Sequence, residues 1–425
     1  MTVDKKNLIP FLVGIGILFP LFFTLSGGVY RYPGTLYDSG GVITTLPLPI
    51  SILVCLIALL LLFPRLREAK LAWTMIAGTL VALIISLWLG SDGVTSPNRK
   101  LVMIVQVVLP LIGLLLGQLI QDMNPDGKTV ARSFLIVLSV VVPLQLYMPL
   151  INSPWLNPGE LLADHLYLFT IYSHIQYVTL IFVCAFAYAL GSLWDEHKVW
   201  LSLLAIVLVL YVLRSSSYLT MVAFGIVVLA FSSWRLICHG KNLKVMLTAA
   251  FVAVATLVGV LTLLGKEGGQ ASFVTRSIGA AQGKIQPLLE GKIPSNVQER
   301  FGDWERFGNG IIETNKTTLV GHPQPMPREI RTSPHNWYID IAYTFGLIAL
   351  LPMFSLIAYT VNLCFRQRKY ISTQTWWLAG IVFYLVVIDS NFKVTLRQPY
   401  PGIFAFFIWG MLLTRLSTLK MVRAA

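Results

Sequence analysis

Two arginines and one histidine are the residues whose types and positions best fit chemistry on an anionic substrate. Arg214 separates two apolar runs in the sequence VLRSSSYLT, and Arg300 precedes Trp304 by one helical turn in QERFGDWERF. His335 stands at the start of a long apolar run. Alone, each arginine is better explained as a solvated or snorkelling side chain. Together, two guanidinium groups that can bind phosphate and one imidazole can hold an anionic group beside a base.

The segment around His335 predicts where its helix begins. Ser333 is a good N-cap, Pro334 suits the first helical position, and the apolar run begins at once. This places His335 and Asn336 in the first turn of a membrane span, where the positive end of the helix dipole disfavours an imidazolium. A general base must be neutral, so the predicted position agrees with that role for His335.

The elements that must position these residues are membrane spans. The chain has 425 residues, of which 56% are hydrophobic and only 12% charged, with a mean hydropathy of +0.73. A soluble domain needs more charge to cover its surface, so we expect an all-α polytopic membrane protein. A span needs about 20 apolar residues, and twelve segments qualify: 8–26, 45–64, 71–90, 101–120, 133–151, 173–193, 199–213, 217–234, 245–265, 336–360, 373–391 and 399–417.

Basic residues predict the orientation of these spans. If both termini are cytoplasmic, the cytoplasmic segments carry about three times as many lysines and arginines as the short external loops, as the positive-inside rule requires. The chain then divides into spans one to nine (1–265), a large external loop (266–335) and spans ten to twelve (336–425). Within the loop, apolar residues at helical spacing predict an amphipathic helix over 297–313, and a shorter surface helix is expected near 273–284.

Several functions find no support in the sequence. The net charge of +13 is scattered over short loops, so we expect no nucleic-acid partner. Nucleotide-binding glycine loops do not occur, and neither does a DxD motif, so we expect no nucleotide and no metal or other cofactor. The clearest charged residues inside predicted spans are Asp340 and Asp389, and a proton-coupled transporter usually carries more.

Three stretches resemble the bacterial O-antigen ligases, within the wider group that includes O-antigen polymerases and protein O-oligosaccharyltransferases. They are LRSSSYLT around Arg214, ERFGDWERFGNGIIETNKTTLVGHP over 299–323, and PHNWYIDIAYTFGLIALL from Pro334. The order of about twelve spans with one large loop before the tenth is also similar. The third stretch is the most specific of the three.

The resemblance implies a membrane-embedded glycosyltransferase of the C type (GT-C), in the inner membrane of a Gram-negative bacterium, with a periplasmic active site. In that family O-antigen polysaccharide moves from undecaprenyl diphosphate to the lipid A-core, with inversion and without metal or nucleotide. Carried over to this chain, the resemblance implies that Arg214 and Arg300 bind the diphosphate and that His335 serves the acceptor hydroxyl. Secondary candidates near the predicted external face are Asn336, Arg331, Arg328, His322, Asp389, Arg397, His174 and Tyr177.

Other functions remain open at this stage. An O-antigen polymerase shares the donor and differs in its acceptor, and a protein O-oligosaccharyltransferase transfers the glycan to a protein hydroxyl. A transporter or flippase belongs to a different class and predicts charged residues in mid-span together with broken helices.

Overall fold

The computed structural model describes residues 5–23, 48–90, 97–147, 175–214, 217–239, 290–291, 295–323, 326 and 333–424. These residues are helical apart from turns and one two-residue antiparallel pair, β1 (Phe22–Phe23) with β2 (Leu48–Pro49). The helices of the first half are α1 (Lys5–Leu18), α2 (Ile50–Leu61), α3 (Lys70–Gly90), α4 (Pro97–Val108), α5 (Leu111–Met123), α6 (Lys128–Tyr147), α7 (Ile175–Arg214) and α8 (Tyr218–His239). The helices of the second half are α9 (Ser295–Ile311), α10 (Asn315–Val320), α11 (Trp337–Phe345), α12 (Leu351–Gln367), α13 (Thr373–Phe383) and α14 (Pro399–Ala424).

The expectation of an α-helical membrane protein is confirmed. Among the described residues, 6 helical stretches are long and apolar enough to cross a membrane: Lys70–Gly90, Met103–Met123, Lys128–Leu146, Tyr177–Val212, Leu347–Gln367 and Pro399–Leu419. Three shorter apolar helices accompany them, at Asn7–Leu18, Ile50–Leu61 and Leu219–Arg235. The count of twelve spans stays a prediction, because the ninth predicted span (245–265) and the surface helix near 273–284 lie outside the described residues.

The described chain folds as two compact units. The first contains the described residues within 5–134 and 299–424, and the second contains those within 135–147 and 175–298. In the second unit the predicted spans 173–193 and 199–213 correspond to the two parts of α7, which non-helical backbone at His197 (φ −132°, ψ 38°) separates. Next to the kink, Asp195 accepts a 2.6 Å hydrogen bond from Arg235 of α8. This ion pair holds α8 against the kinked part of α7.

The parallel pair of α5 and α14 is the centre of the first unit. Gly113 and Gly117 form a G-x-x-x-G pattern on α5, and a Cβ at either position would overlap the backbone of α14 near Phe407. Small residues at this spacing let two membrane helices approach closely. One end of the pair lies where Gly402 contacts Pro110, and we call it the upper end. At the other, lower end Arg415 donates a hydrogen bond to Gln121.

The predicted tenth span, 336–360, is not one continuous helix. It is divided into α11 and α12 by Gly346 (φ +75°) and a 3-10 turn at Leu347–Leu350. A Cβ at Gly346 would overlap the carbonyl of Leu319, and one at Gly321 (φ +79°) would overlap the backbone of Thr344. The end of α10 therefore packs directly on the break. Only glycine adopts these left-handed conformations without strain and leaves room for the neighbouring backbone.

Candidate functional site

Helix α9 carries Arg300 in the first unit. The predicted amphipathic helix over 297–313 is confirmed, since the observed helix is Ser295–Ile311. Its buried side carries Phe307, whose ring lies 4.9 Å from that of Tyr343 on α11. Trp304 follows Arg300 by one turn, and its ring packs on Phe301 with centroids 5.3 Å apart. Apolar packing thus fixes the face of the helix from which Arg300 projects.

The turn that carries His335 differs from the prediction. Helix α11 begins at Trp337, and its N-cap is Asn336, whose side-chain oxygen accepts from the backbone N–H groups of Tyr338 (2.9 Å) and Ile339 (3.1 Å). Ser333 is therefore not the cap, and neither His335 nor Asn336 lies in the first helical turn. The N–H groups of Tyr338 and Ile339 lie in the first turn of α11, where they have no carbonyl partner within the helix. The side-chain oxygen of Asn336 satisfies both of them.

His335 lies just outside the helix in a left-handed conformation. Its φ is +52°, and among the described residues it is the only non-glycine residue with a positive φ. Its side chain is exposed, and its backbone N–H donates to Ser333 Oγ at 3.3 Å. Because His335 lies outside the first turn of α11, the predicted effect of the helix dipole on its imidazole does not apply. A strained backbone at an exposed histidine is instead the kind of feature that clusters at functional sites.

Hydrogen bonds hold both neighbours of His335. Trp304 Nε1 donates to the carbonyl of Pro334 at 3.0 Å, which fixes the residue before it. Asn336 Nδ2 donates to Asn391 Oδ1 at 3.2 Å, which fixes the residue after it. The histidine is therefore exposed while its backbone is anchored on both sides.

The same region of the chain also holds Arg300. Its Nη1 donates to the carbonyl of Phe392 at 2.8 Å, and the Phe392 ring lies 5.8 Å from the ring of Trp304. Asn391, the residue before Phe392, is the one that bonds to Asn336. A closed circuit of contacts thus connects the arginine on α9 with the turn of His335.

The circuit depends on irregular backbone after α13. A π-helical turn at Tyr384–Ile388 and a 3-10 turn at Asp389–Asn391 interrupt the regular ladder. Side chains donate to three consecutive carbonyls there: Ser390 to Leu385 (2.8 Å), Tyr338 to Val386 (2.7 Å) and Asn391 to Val387 (2.6 Å). Inside a membrane, backbone groups released from a helix need partners within the protein. Asn391 therefore serves both the backbone and the cap residue Asn336.

Buried charges stabilise the segment that follows. Arg397 forms a hydrogen-bonded ion pair with Asp340 of α11, and both side chains are almost fully buried. Asp389 is completely buried, accepts a hydrogen bond from Thr395, and lies 3.5 Å from Lys393 Nζ. We call residues 389–397 the clamp segment, because it contacts α9, the His335 turn and α11. The structure thus brings Arg300, His335, Asn336, Asp389 and Arg397 into one region of the first unit, at the upper end.

The remaining predicted site residues fall elsewhere or have another role. His322 stacks on Tyr343 with centroids 4.2 Å apart, and its Nε2 lies 2.7 Å from the carbonyl of Gly310, so it packs α9 against α11. Tyr177 and Arg214 belong to α7 in the second unit, and Arg214 is the last residue of that helix. The other three candidates, His174, Arg328 and Arg331, lie outside the described residues.

Sequence reasoning missed the acceptors of the clamp segment. Asn391 and the carbonyl of Phe392 lie in the polar stretch DSNFKVTLR, which looks like an ordinary loop between two spans. The available signal was the density of polar residues directly after the apolar run of α13. Among the described residues, no group of three or more histidine, cysteine, aspartate or glutamate side chains is arranged to hold a metal ion.

No protein-family model matches the chain, and comparison with curated proteins finds no match.

Proposed function

We propose that the protein is an inverting, metal-independent glycosyltransferase of the GT-C type in the inner membrane of a Gram-negative bacterium. It transfers O-antigen polysaccharide from undecaprenyl diphosphate to the lipid A-core on the periplasmic side. In this proposal the chain has twelve spans, and both of its termini lie in the cytoplasm. The observation that carries the proposal is the contact circuit that joins Arg300 to both neighbours of the exposed His335. A cation that shares a contact network with the turn of a candidate base suits a reaction between an anionic donor and a hydroxyl acceptor.

The donor explains the need for arginine. When the acceptor oxygen bonds to the anomeric carbon, the bond from that carbon to the diphosphate oxygen breaks, and the diphosphate leaves with the electron pair. Guanidinium groups stabilise the charge that develops on this leaving group. We assign this role to Arg300 and to Arg214 as a second diphosphate ligand. Arg300 Nη1 donates to the carbonyl of Phe392 at 2.8 Å, and this bond orients the guanidinium.

The acceptor explains the need for histidine. A sugar hydroxyl is a weak nucleophile, and a base that takes its proton in the transition state contributes roughly 10²–10⁴-fold. We assign this proton to the imidazole of His335, which is exposed beside an anchored backbone. Asn336 and the clamp residues Asp389 and Arg397 act by positioning, while Arg328, Arg331, His174 and Tyr177 remain secondary candidates for contact with the glycan.

One observation favours transport as a second candidate function. The clamp segment combines buried charges with broken helices, and both are features of secondary transporters. Against this, the ion pair of Arg397 joins the first turn of α11 to the residues just before α14, so it lies at helix ends at the upper end. Buried charges that close a helix end need no substrate pathway to explain them. Glycosyl transfer is therefore the function that the geometry supports best.

A complementation experiment tests the proposal. A strain that lacks the gene receives the parent protein, Arg300→Ala, His335→Ala or Arg306→Ala, and its lipopolysaccharide and lipid-linked glycans are profiled. Arg306 is exposed on the same helix and is the matched control. We expect the parent and Arg306→Ala to restore the ladder of long chains. Loss of Arg300 should reduce transfer by about 10²–10³-fold, with long-chain glycan accumulating on undecaprenyl diphosphate.

Other outcomes identify the alternatives. Cores capped with single repeat units would show a polymerase, and loss of glycan from proteins alone would show a protein O-oligosaccharyltransferase. A ladder that is unchanged in the strain lacking the gene would remove the ligase assignment and favour transport. Normal transfer by the Arg300 or His335 variant would remove that residue from the site.

A further inference from the structure

The short helix α10 contacts two membrane-length stretches, although the sequence places it in the external loop. On one side, Ser86 Oγ of α3 donates to the carbonyl of Val320 at 2.7 Å, and Ser86 is fully buried. On the other side, the carbonyl of Leu319 lies against Gly346, directly before the stretch Leu347–Gln367. The end of α10 is therefore held by two apolar stretches at once.

The span α3 gives the depth of this contact in the membrane. With 21 residues it is about 31 Å long, close to the hydrocarbon thickness of about 30 Å. Ala72 is near the lower end, where its backbone N–H donates to Gln118 Oε1. Ser86 lies about 21 Å above Ala72 along the helix, and about 6 Å below the last residue, Gly90. The end of α10 therefore lies at the upper boundary of the hydrocarbon layer, on its inner side.

The polar groups of α10 are satisfied within the protein. Thr314 and Thr317 form a capping box, in which each side-chain oxygen accepts from the backbone N–H of the other at 3.0 Å. The hydroxyl of Thr318 lies within hydrogen-bond distance of two carbonyls, those of Ile311 (3.0 Å) and Thr314 (2.9 Å). After the helix, the N–H of Gly321 donates to the carbonyl of Thr317 at 2.9 Å. Irregular backbone can enter a membrane only when its polar groups find such partners.

The uncovered side of α10 is apolar where it continues the surface of the spans. Leu319 is 53% exposed, and Ile312 in the turn before α10 is 71% exposed. Lys316 lies between them in sequence and is also exposed. On the neighbouring stretches, Trp88 and Leu347 are exposed at the same level. Large apolar side chains with a tryptophan and a lysine are typical of the boundary between headgroups and acyl chains.

We propose that Ile312 and Leu319 insert among the acyl chains of the membrane leaflet at the upper end, so that α10 anchors the external loop in the lipid. On the positive-inside assignment this is the external leaflet. The long side chain of Lys316 reaches from this depth to the headgroup phosphates.

The anchor has a consequence for α9. Thr317 and Thr318 bond to the carbonyl of Ile311, the last residue of α9, at 3.2 Å and 3.0 Å. Insertion of α10 therefore fixes the height of this end of α9 above the bilayer. The inference concerns lipid contact alone and does not depend on the proposed transfer reaction.

The test is photo-crosslinking of the full-length protein in nanodiscs of phosphatidylethanolamine and phosphatidylglycerol. The benzophenone amino acid p-benzoylphenylalanine, which reacts with C–H bonds, replaces Leu319 or Ile312 in separate variants. It replaces Val361 on the exposed face of α12 as the lipid-facing control, and the exposed Glu305 of α9 as the water-facing control. We expect mass spectrometry to find phospholipid adducts at Leu319, Ile312 and Val361, and about tenfold fewer at Glu305. All four positions are exposed, and thermal unfolding of each variant shows that it is folded.

Two results would overturn the inference. If Val361 forms lipid adducts while Leu319 and Ile312 form no more than Glu305, α10 lies in water. If Leu319 and Ile312 instead cross-link to a second copy of the chain or to another protein, a protein surface covers this face.

Discussion

The backbone at His335 predicts an unusual response to substitution. A residue other than glycine in the left-handed region costs about 1–2 kcal/mol, and His335 has φ +52°. Glycine removes this strain but gives the unfolded chain more freedom, which costs about 0.4–1 kcal/mol. We therefore expect His335→Gly to be more stable than His335→Ala by about 0.5–1 kcal/mol. Both variants lose the imidazole, so their difference isolates the backbone.

A matched pair at an ordinary helical position gives the opposite sign. Val361 lies inside α12 and is 61% exposed, so its side chain contributes little packing within the protein. There Val361→Gly should be less stable than Val361→Ala by about 1 kcal/mol. The assay is thermal or chemical unfolding of the four purified variants in the same detergent.

The transfer assay separates stability from function in the same variants. If His335 is the base, His335→Gly is more stable than His335→Ala, and both variants still fail to restore the ladder of long chains. Equal stability of His335→Gly and His335→Ala would refute the argument from strain. A ladder restored by either variant would refute the role of the imidazole, whatever the stabilities are.

Further predictions concern the packing around the site. Asp340→Asn leaves the buried guanidinium of Arg397 without its carboxylate and should lower the free energy of unfolding by about 3–5 kcal/mol. The control Asp122→Asn breaks the exposed ion pair with Arg65 and should cost about 0–1 kcal/mol in the same unfolding assay. Trp304→Phe removes the indole N–H donor but keeps the ring, so glycan transfer should fall about 2–10-fold; an unchanged rate would mean that this bond does not position the histidine. Gly346→Ala should lower the unfolding temperature, since its Cβ would meet backbone, while Gly380→Ala, which meets nothing within 4 Å, should not.

Local patterns predicted the elements that positioned the site. The apolar period of α9 set its helix, and the observed bounds agree with 297–313 to within two residues at each end. The prediction of 336–360 as a single continuous span was wrong, because apolar content alone does not reveal a break. Gly346 was the available signal, and its effect depends on Leu319, which packs against it from another helix.

The error at the start of α11 has a similar cause. Ser333 and Asn336 are both good N-cap residues, and local preference does not decide between them. Asn336 also bonds to Asn391, which lies 55 residues further along the chain. A contact of that range cannot be read from the spacing around His335. The buried partners of Asp340 and Asp389 were missed for the same reason, although both acids were noticed as charges inside predicted spans.

The irregular backbone at the upper end and the anchoring of the site have one physical origin. If the span continued as a regular helix through Phe392, its backbone carbonyls would accept hydrogen bonds from N–H groups of the same helix. The carbonyl of Phe392 would then not be available to Arg300. The π-helical turn releases carbonyls from that ladder, and in a membrane each released group must find a donor within the protein. Asn391 satisfies one of them and binds the cap residue beside His335 with the same side chain. The polar residues that the broken helix requires are thus the residues that connect the arginine to the histidine.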